Sequence, residues 1–160
     1  MIATVSQLAI PLPGGVPITL QTFIIPLAGV VLGSKRGAIA AFIYVLLGAI
    51  GVPVFAGFTG GPGSILGPRG GFILSYPFMA FVVGFGADTE KRLFLVIGLI
   101  VGTIINLSMG MFHFAFVTDN TLQNAFFVAV APFILIEAIK MVFVFILGLK
   151  MREILIKLVH

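Results

Sequence analysis

Residues 93–117 read LFLVIGLIVGTIINLSMGMFHFAFV, a run of 25 residues without a charged side chain. A helix needs about 20 apolar residues to cross the hydrocarbon core of a bilayer, so this segment predicts a membrane-spanning helix. The whole chain has the same character, since 60% of its 160 residues are hydrophobic and 9% are charged. Soluble domains have about 45–50% and 25%, and too few polar side chains remain here to cover a surface in water. We therefore predict an integral membrane protein of the all-α class.

Charged residues separate this segment from four other apolar segments. These lie at residues 18–32, 37–52, 72–87 (with a kink at Pro77) and 122–149. Residues 1–12 are also apolar but too short to cross the bilayer, so we interpret them as the end of a curtailed first helix. We expect a single transmembrane domain over residues 1–160, built as a six-helix bundle.

The basic residues predict how this bundle is oriented. Seven basic residues lie at alternate segment boundaries, which are all on one side of the membrane in a six-segment chain. Arg69 is the single basic residue on the other side. Because basic loops stay in the cytoplasm, both termini are predicted to be cytoplasmic and the loops 11–17, 53–71 and 118–121 external. We read the net charge of +4 as part of this bias, and expect a multi-pass protein of the cell membrane, in contact with lipid and without a nucleic-acid partner. The seven basic residues are Lys35, Arg36, Lys91, Arg92, Lys150, Arg152 and Lys157.

Two charged residues lie inside the last segment, in the stretch ILIEAIKMVF at 134–143. A charge at the centre of a membrane helix costs about 2.5–3.5 kcal/mol on insertion scales, so it needs a partner or a water-filled cavity. Glu137 and Lys140 are three positions apart and therefore lie on one face of the helix. One interpretation is a structural pair, and the other is a ligand site that offers an acceptor beside a donor. We favour the ligand site, because apolar residues provide packing at lower cost.

The predicted outer loop at 53–71, PVFAGFTGGPGSILGPRGG, is rich in glycine and proline. Loops of this length are usually functional or disordered, and glycine suits close approach to a ligand and the movement of a lid. Arg69 is the only basic residue on this side, so it is a candidate for binding an anionic ligand. An arginine that reaches lipid phosphate is an equal alternative. Phe55 and Phe58 are the aromatic residues of the loop.

Polar side chains in other segments are weaker candidates. Gln21 lies near the outer end of its segment and Asn106 well within another, although amides in membrane helices more often bond to neighbouring helices. Tyr76 joins the candidate site, with an anchor at the membrane interface as the alternative. His113 is expected to be structural.

The motifs of several membrane activities are missing from the sequence. There is no Gly-Lys-Ser/Thr for a Walker phosphate loop, no His-Glu-x-x-His and no Gly-x-Ser-x-Gly. The chain has no cysteine, which excludes thiolate metal sites and a cysteine nucleophile. These absences favour a binding protein in the membrane, without a cofactor, a metal or an energy source of its own.

Three motifs resemble one known family. VPITLQTF at 16–23 resembles the start of the second helix in the BioY family, the biotin-capturing substrate-specificity subunits of energy-coupling-factor (ECF) vitamin importers. LLGAIGVPVFAG at 46–57 and GGPGSILGPRGGF at 60–72 resemble the outer loop of that family. Glu137-x-x-Lys140 is similar to the acidic-x-x-Lys pair of its last helix, with Glu where some members have Asp.

The resemblance implies six helices, capture of biotin from outside, and association with a transmembrane coupling protein and two cytoplasmic ATPases. It implies that Glu137 accepts a hydrogen bond from the ureido ring, while Lys140 donates to the ring carbonyl or orients Glu137. Arg69 would engage the valerate carboxylate. The apolar part of the ligand would contact Phe55, Phe58 and Phe72.

Other functions are compatible with the same residues. The nearest is an ECF subunit for another small vitamin. A membrane enzyme with Glu137 as general base and Lys140 tuning it is a different class, and a purely structural subunit is a third.

Overall fold

The computed structural model describes residues 2–5, 9–10 and 16–159, and these are mostly helical. In chain order the elements are α1 (Ile2–Val5), β1 (Ala9–Ile10), β2 (Ile18–Thr19), α2 (Gln21–Leu32), α3 (Ser34–Ala49), α4 (Pro62–Leu66), α5 (Gly70–Leu74), α6 (Tyr76–Asp88), α7 (Arg92–Val117), α8 (Leu122–Ala129), a 3-10 turn (Ala131–Phe133) and α9 (Ile134–Val159). The predicted curtailed helix at 1–12 and the loop at 11–17 lie partly outside the described residues.

A short antiparallel pair of strands precedes the long helices, which the all-α prediction missed. β1 pairs with β2, with Ala9 opposite Thr19 and Ile10 opposite Ile18. The helix predicted from residue 18 therefore begins only at Gln21. The Thr19 hydroxyl accepts a hydrogen bond from the Gln21 N–H at 3.3 Å, which satisfies one of the free donors at the start of α2.

Two predicted helices are interrupted at prolines. The segment predicted at 72–87 ends as α5 at Leu74 and resumes as α6 at Tyr76, because Pro77 lacks an N–H and restricts the residue before it. The predicted kink is thus a break at Ser75. The segment at 122–149 divides into α8 and α9 around Pro132, and α9 continues to Val159.

Helix α6 lies at the centre of the fold and packs against α2, α3 and α7. Glycines permit this closeness: a Cβ at Gly29 would meet the Ala80 backbone, and one at Gly98 would meet the Val82 carbonyl oxygen at 3.0 Å. Buried side chains such as Ile25 and Val83 fill the space between these helices.

The outward faces of the helices are apolar. Ile39, Phe85 and Phe116 are among many large hydrophobic side chains that remain exposed. Two stretches, Arg92–Val117 and Leu122–Leu155, are long and apolar enough to cross a membrane, and Gln21–Leu32 is a shorter apolar helix. An exposed apolar surface of this extent fits a lipid environment.

Candidate functional site

A narrow cavity of about 40 Å³ lies where α2, α5, α6, α7 and α9 meet residues 50–69 between α3 and α5, which we call the outer segment after its predicted position. This volume is room for a few water molecules. Seven of the nine predicted site residues line it. They are Gln21, Phe55, Arg69, Phe72, Tyr76, Asn106 and Glu137.

Glu137 and Lys140 form a buried ion pair in the first turns of α9. Glu137 is 5% exposed and Lys140 is 8% exposed, and Lys140 Nζ lies 2.8 Å from Glu137 Oε1. Lys140 also donates to the Thr19 carbonyl oxygen at 2.7 Å and to Thr22 Oγ1 at 2.8 Å. The Thr22 hydroxyl donates in turn to Glu137 Oε1 at 2.7 Å. The two charges are therefore compensated by each other and by α2 and the strand before it.

Glu137 and Lys140 have different roles in this network. All three protons of the Lys140 ammonium are used, and Lys140 is not among the residues that line the cavity. Glu137 lines the cavity, and its Oε2 has no hydrogen-bond partner among the described residues. The pair therefore presents one free, negatively charged acceptor to a ligand.

Asn106 on α7 presents a second free acceptor. It is 1% exposed, and its Nδ2 donates to the Phe72 carbonyl oxygen at 3.1 Å and to Ser75 Oγ at 2.6 Å. These bonds fix which end of the amide faces the cavity. Its Oδ1 has no partner among residues 2–5, 9–10 and 16–159.

Gln21 and Tyr76 belong to a chain of hydrogen bonds that holds one wall. Tyr76 donates its hydroxyl to Gln21 Oε1 at 3.1 Å, and Gln21 Nε2 donates to the Tyr44 hydroxyl at 2.7 Å. Tyr44 then donates to the Val54 carbonyl oxygen at 2.9 Å. Helices α2, α3 and α6 and the outer segment are thereby joined through buried side chains.

The three phenylalanines predicted for the site have different positions. Phe55 is 1% exposed and packs edge-on to Tyr44, with ring centroids 5.6 Å apart. Phe72 is buried with its ring directly over Gly110. Phe58, predicted for the same site, is 72% exposed and is not among the residues that line the cavity.

Arg69 is half-buried, and its guanidinium makes no hydrogen bond or ion pair within the described part of the chain. It lines the cavity together with the two free acceptors. The site can thus hold a ligand that carries N–H donors, an apolar body and an anionic group. The described residues contain no group of three His, Cys, Asp or Glu side chains that could hold a metal ion.

Sequence reasoning missed two members of the network, Thr22 and Tyr44. Thr22 follows Gln21 directly in the stretch at 16–23. A polar residue next to a candidate site residue was the signal that could have identified it. No spacing in the sequence distinguishes Tyr44 from an ordinary tyrosine of a membrane helix. His113, expected to be structural, lies within hydrogen-bond distance of the Gly67 carbonyl oxygen at 3.0 Å.

The sequence was compared with known families and proteins. The sequence model of the BioY family matches residues 1–157. The chain is 45% identical over 127 residues to a probable biotin transporter BioY of Pyrococcus horikoshii, covering 79% of this chain and 75% of that protein. It is 36% identical over 155 residues to a biotin transporter BioY of Thermotoga maritima, covering 96% and 90%.

A solved structure has the same fold. It is a crystal structure of the S-component for biotin from an ECF-type ABC transporter, with a TM-score of 0.87 and 29% sequence identity. The match covers 95% of this chain and 85% of that one.

Proposed function

The chain belongs to the BioY family, and from that membership we propose that it binds biotin and carries it across the membrane as the S-component of an ECF-type ABC transporter. Its relatives are named biotin transporters, and its structural neighbour is the S-component for biotin. Biotin is then the transported ligand and not a cofactor, and the chain is a transport subunit and not an enzyme.

The observation that carries this proposal is the pair of free acceptors in one buried cavity. The ureido ring of biotin has two N–H donors, and Glu137 Oε2 and Asn106 Oδ1 are two acceptors without protein partners. Neither oxygen is among the fully buried atoms without a partner, so water can reach both in the empty site, and the ring N–H groups of biotin would take the place of that water. Lys140 supports this arrangement by orienting Glu137 and balancing its charge.

The rest of the lining suits the rest of the molecule. Phe55 and Phe72 offer apolar surface for the thiophane ring and the valerate chain, and Arg69 offers a cation for the carboxylate. Gln21 and Tyr76 bond to each other and fix the wall beside them. The outer segment that carries Phe55 and Arg69 forms one wall of this cavity, and its many glycines suit a lid that moves when biotin enters.

The assembly we propose follows from the same family. The partners are a transmembrane coupling protein and two cytoplasmic ATPases, which supply the energy that a chain without a Walker motif needs from elsewhere. The chain itself forms one domain with six membrane segments in the cell membrane and both termini in the cytoplasm. The basic residues clustered at alternate boundaries and the apolar outward faces support this topology.

Direct binding of biotin by the purified chain tests the proposal. We expect saturable binding with one site per chain in isothermal titration calorimetry, and competition by desthiobiotin, which keeps the ureido ring and the carboxylate. Thiamine, which lacks both, should not compete. Preferential binding of thiamine or another vitamin would change the cargo, and turnover of any ligand would favour an enzyme.

A further inference from the structure

Arg69 lies at a defined position of a tight turn. The Gly70 N–H donates to the Gly67 carbonyl oxygen at 2.9 Å, which closes the four residues Gly67-Pro68-Arg69-Gly70. Arg69 has φ −88° and ψ −9°, the values of the third residue in a type I turn, and proline is favoured at the second. The turn therefore fixes the direction in which the Arg69 side chain leaves the backbone.

His113 on α7 holds this turn from outside. Its Nε2 lies 3.0 Å from the Gly67 carbonyl oxygen, the same oxygen that closes the turn. A carbonyl oxygen can only accept, so Nε2 carries the proton in this contact. Gly70 and Gly71 are also in close contact with His113. A Cβ at Gly70 would lie 2.7 Å from His113 Nε2, and one at Gly71 would meet His113 Cβ.

The turn is joined along the chain to short helices on both sides, through the Gly67 N–H to the Gly63 carbonyl oxygen at 3.0 Å and the Ile73 N–H to the Arg69 carbonyl oxygen at 3.3 Å. It follows the five-residue helix α4 and leads directly into the five-residue helix α5. Helices of this length are not stable alone, so their position depends on tertiary contacts. The contact of α5 and the turn with α7, through His113, is the one that bears on Gly67 directly.

We propose that His113 is a positioning residue for Arg69, and that it determines how strongly the site reads the carboxylate of its ligand. This inference rests on the proposed function, since the carboxylate is that of biotin. His113 acts through the Gly67 carbonyl and does not line the cavity itself. Without it, Arg69 is carried on a turn that can move relative to α7.

The test compares biotin with biotinol, its uncharged alcohol, in calorimetry on the full chain. In the wild type, biotin should bind about tenfold or more tightly than biotinol, since a hydrogen bond to a charged group contributes about 1.5–3 kcal/mol. We expect H113A to reduce this ratio to nearly that of R69A, while the affinity for biotinol stays within about twofold of the wild type. Adding H113A to R69A should reduce the ratio no further.

Two matched variants separate positioning from simple loss of packing. His113→Gln places an amide N–H near the Nε2 position and should restore the ratio, whereas His113→Asn is too short and should behave like H113A. Equal weakening of biotin and biotinol in H113A, or a ratio unchanged from the wild type, would overturn the proposal.

Amide hydrogen exchange at Gly70 provides a measurement without ligand. Exchange should be about fivefold faster in H113A and near the wild-type rate in His113→Gln, since a neutral hydrogen bond contributes about 1 kcal/mol. Unchanged exchange in H113A would show that the anchor does not exist. Absence of biotin binding by the wild type would refute the proposed function, and with it the role toward a carboxylate, whereas exchange at Gly70 would still report on the anchor.

Discussion

Glu137 and Lys140 are charged residues buried inside an apolar bundle. Each charge is nearly buried, and the polar partners that compensate them come from α2 and the residues before it: the Thr22 hydroxyl and the Thr19 carbonyl oxygen. A pair that served packing alone would leave no acceptor unused. Glu137 Oε2 is without a partner among the described residues, and Glu137 lines the cavity, which favours a ligand site.

Removing either charge should weaken biotin binding. Glu137→Gln keeps the volume but loses the charge, and Lys140→Met leaves Glu137 without its counter-ion, so we expect an affinity about 10–100-fold lower in each. Calorimetry measures this, and Glu153→Gln, at an exposed acid on the same helix, is the control. Wild-type affinity in both variants would place the site elsewhere.

Individual residues were predictable where the sequence made them exceptional. A carboxylate and an amine inside a 28-residue apolar stretch, and one arginine on the outer side, are visible without a structure. Tyr44 was not predictable, because its role arises only when Gln21 and Val54 are brought to its hydroxyl from other parts of the chain. The exposed position of Phe58 was not predictable either, since composition does not tell which face of a turn each ring takes.

At the scale of elements, α3 supports the outer segment through Gly48. A Cβ at this position would overlap the ring of Phe55, which is fully buried and edge-on to Tyr44. The absence of a side chain at Gly48 therefore determines where Phe55 lies in the cavity wall.

Gly48→Ala should displace Phe55 toward the cavity that it lines and lower the affinity for biotin by about tenfold, because the ring would then occupy space that the ligand needs. Gly63→Ala is the matched control: Gly63 has ordinary backbone angles, and a Cβ there meets nothing within 4 Å. Calorimetry on both variants measures the effect. Equal affinity in the two would mean that Phe55 does not contact the ligand.

A polar junction joins α2, α3, α6 and α9 away from the cavity. Arg152 of α9 donates to the Val30 carbonyl oxygen at 2.9 Å and to Asp88 at 3.1 Å, and Asp88 accepts from the Ser34 N–H and hydroxyl at 2.9 and 2.7 Å. Asp88 follows the predicted span at 72–87 and stands at the start of α3, where a negative charge is favourable. Four helices are thereby joined.

This junction should make stability depend on pH. Partial burial raises the pKa of Asp88, but hydrogen bonds from Ser34 and the pairing with Arg152 outweigh it and hold that pKa below its usual range. A lowered pKa in the folded state stabilises the protein above the unfolded value of about 4, and the stabilisation is lost as pH falls through the folded pKa. We expect Asp88→Asn to lower the melting temperature at pH 7, and the difference from the wild type to shrink as the pH falls below about 4 and through the folded pKa.

Thermal melting in detergent from pH 7 to pH 3 measures this dependence. Asp119→Asn is the control, because Asp119 is exposed and asparagine tolerates its positive φ of 52° equally well. A constant difference between Asp88→Asn and the wild type at every pH would show that the carboxylate does not contribute through its charge.

At the scale of the whole molecule, hydrophobic length and basic residues were enough to predict a helical membrane protein, but not its interruptions. The breaks at Ser75 and around Pro132 arise where proline removes a backbone donor, and the positions of the segments on either side depend on packing. The strand pair at Ala9–Ile10 and Ile18–Thr19 is too short to leave a periodic signal. The fold class was therefore readable from local composition, whereas the cavity required contacts between distant segments.

The number of membrane crossings can be tested because the chain has no cysteine. Single cysteines at four exposed positions report the side on which each segment end lies: Gly63 and Gln123, in the first turn of α8, for the predicted outer face, and Lys91 and Glu153 for the inner face. We expect a membrane-impermeant maleimide to label Gly63→Cys and Gln123→Cys on intact cells.

The two inner positions should be labelled only after the membrane is permeabilised, and the wild type gives the background. This pattern requires one crossing between residues 63 and 91, one between 91 and 123, and one between 123 and 153, which fixes the last three segments of the bundle. Labelling of Lys91→Cys on intact cells together with Gly63→Cys would remove the crossing by α5 and α6. It would then place Arg69 and Lys91 on one side and break the charge asymmetry from which the orientation was derived.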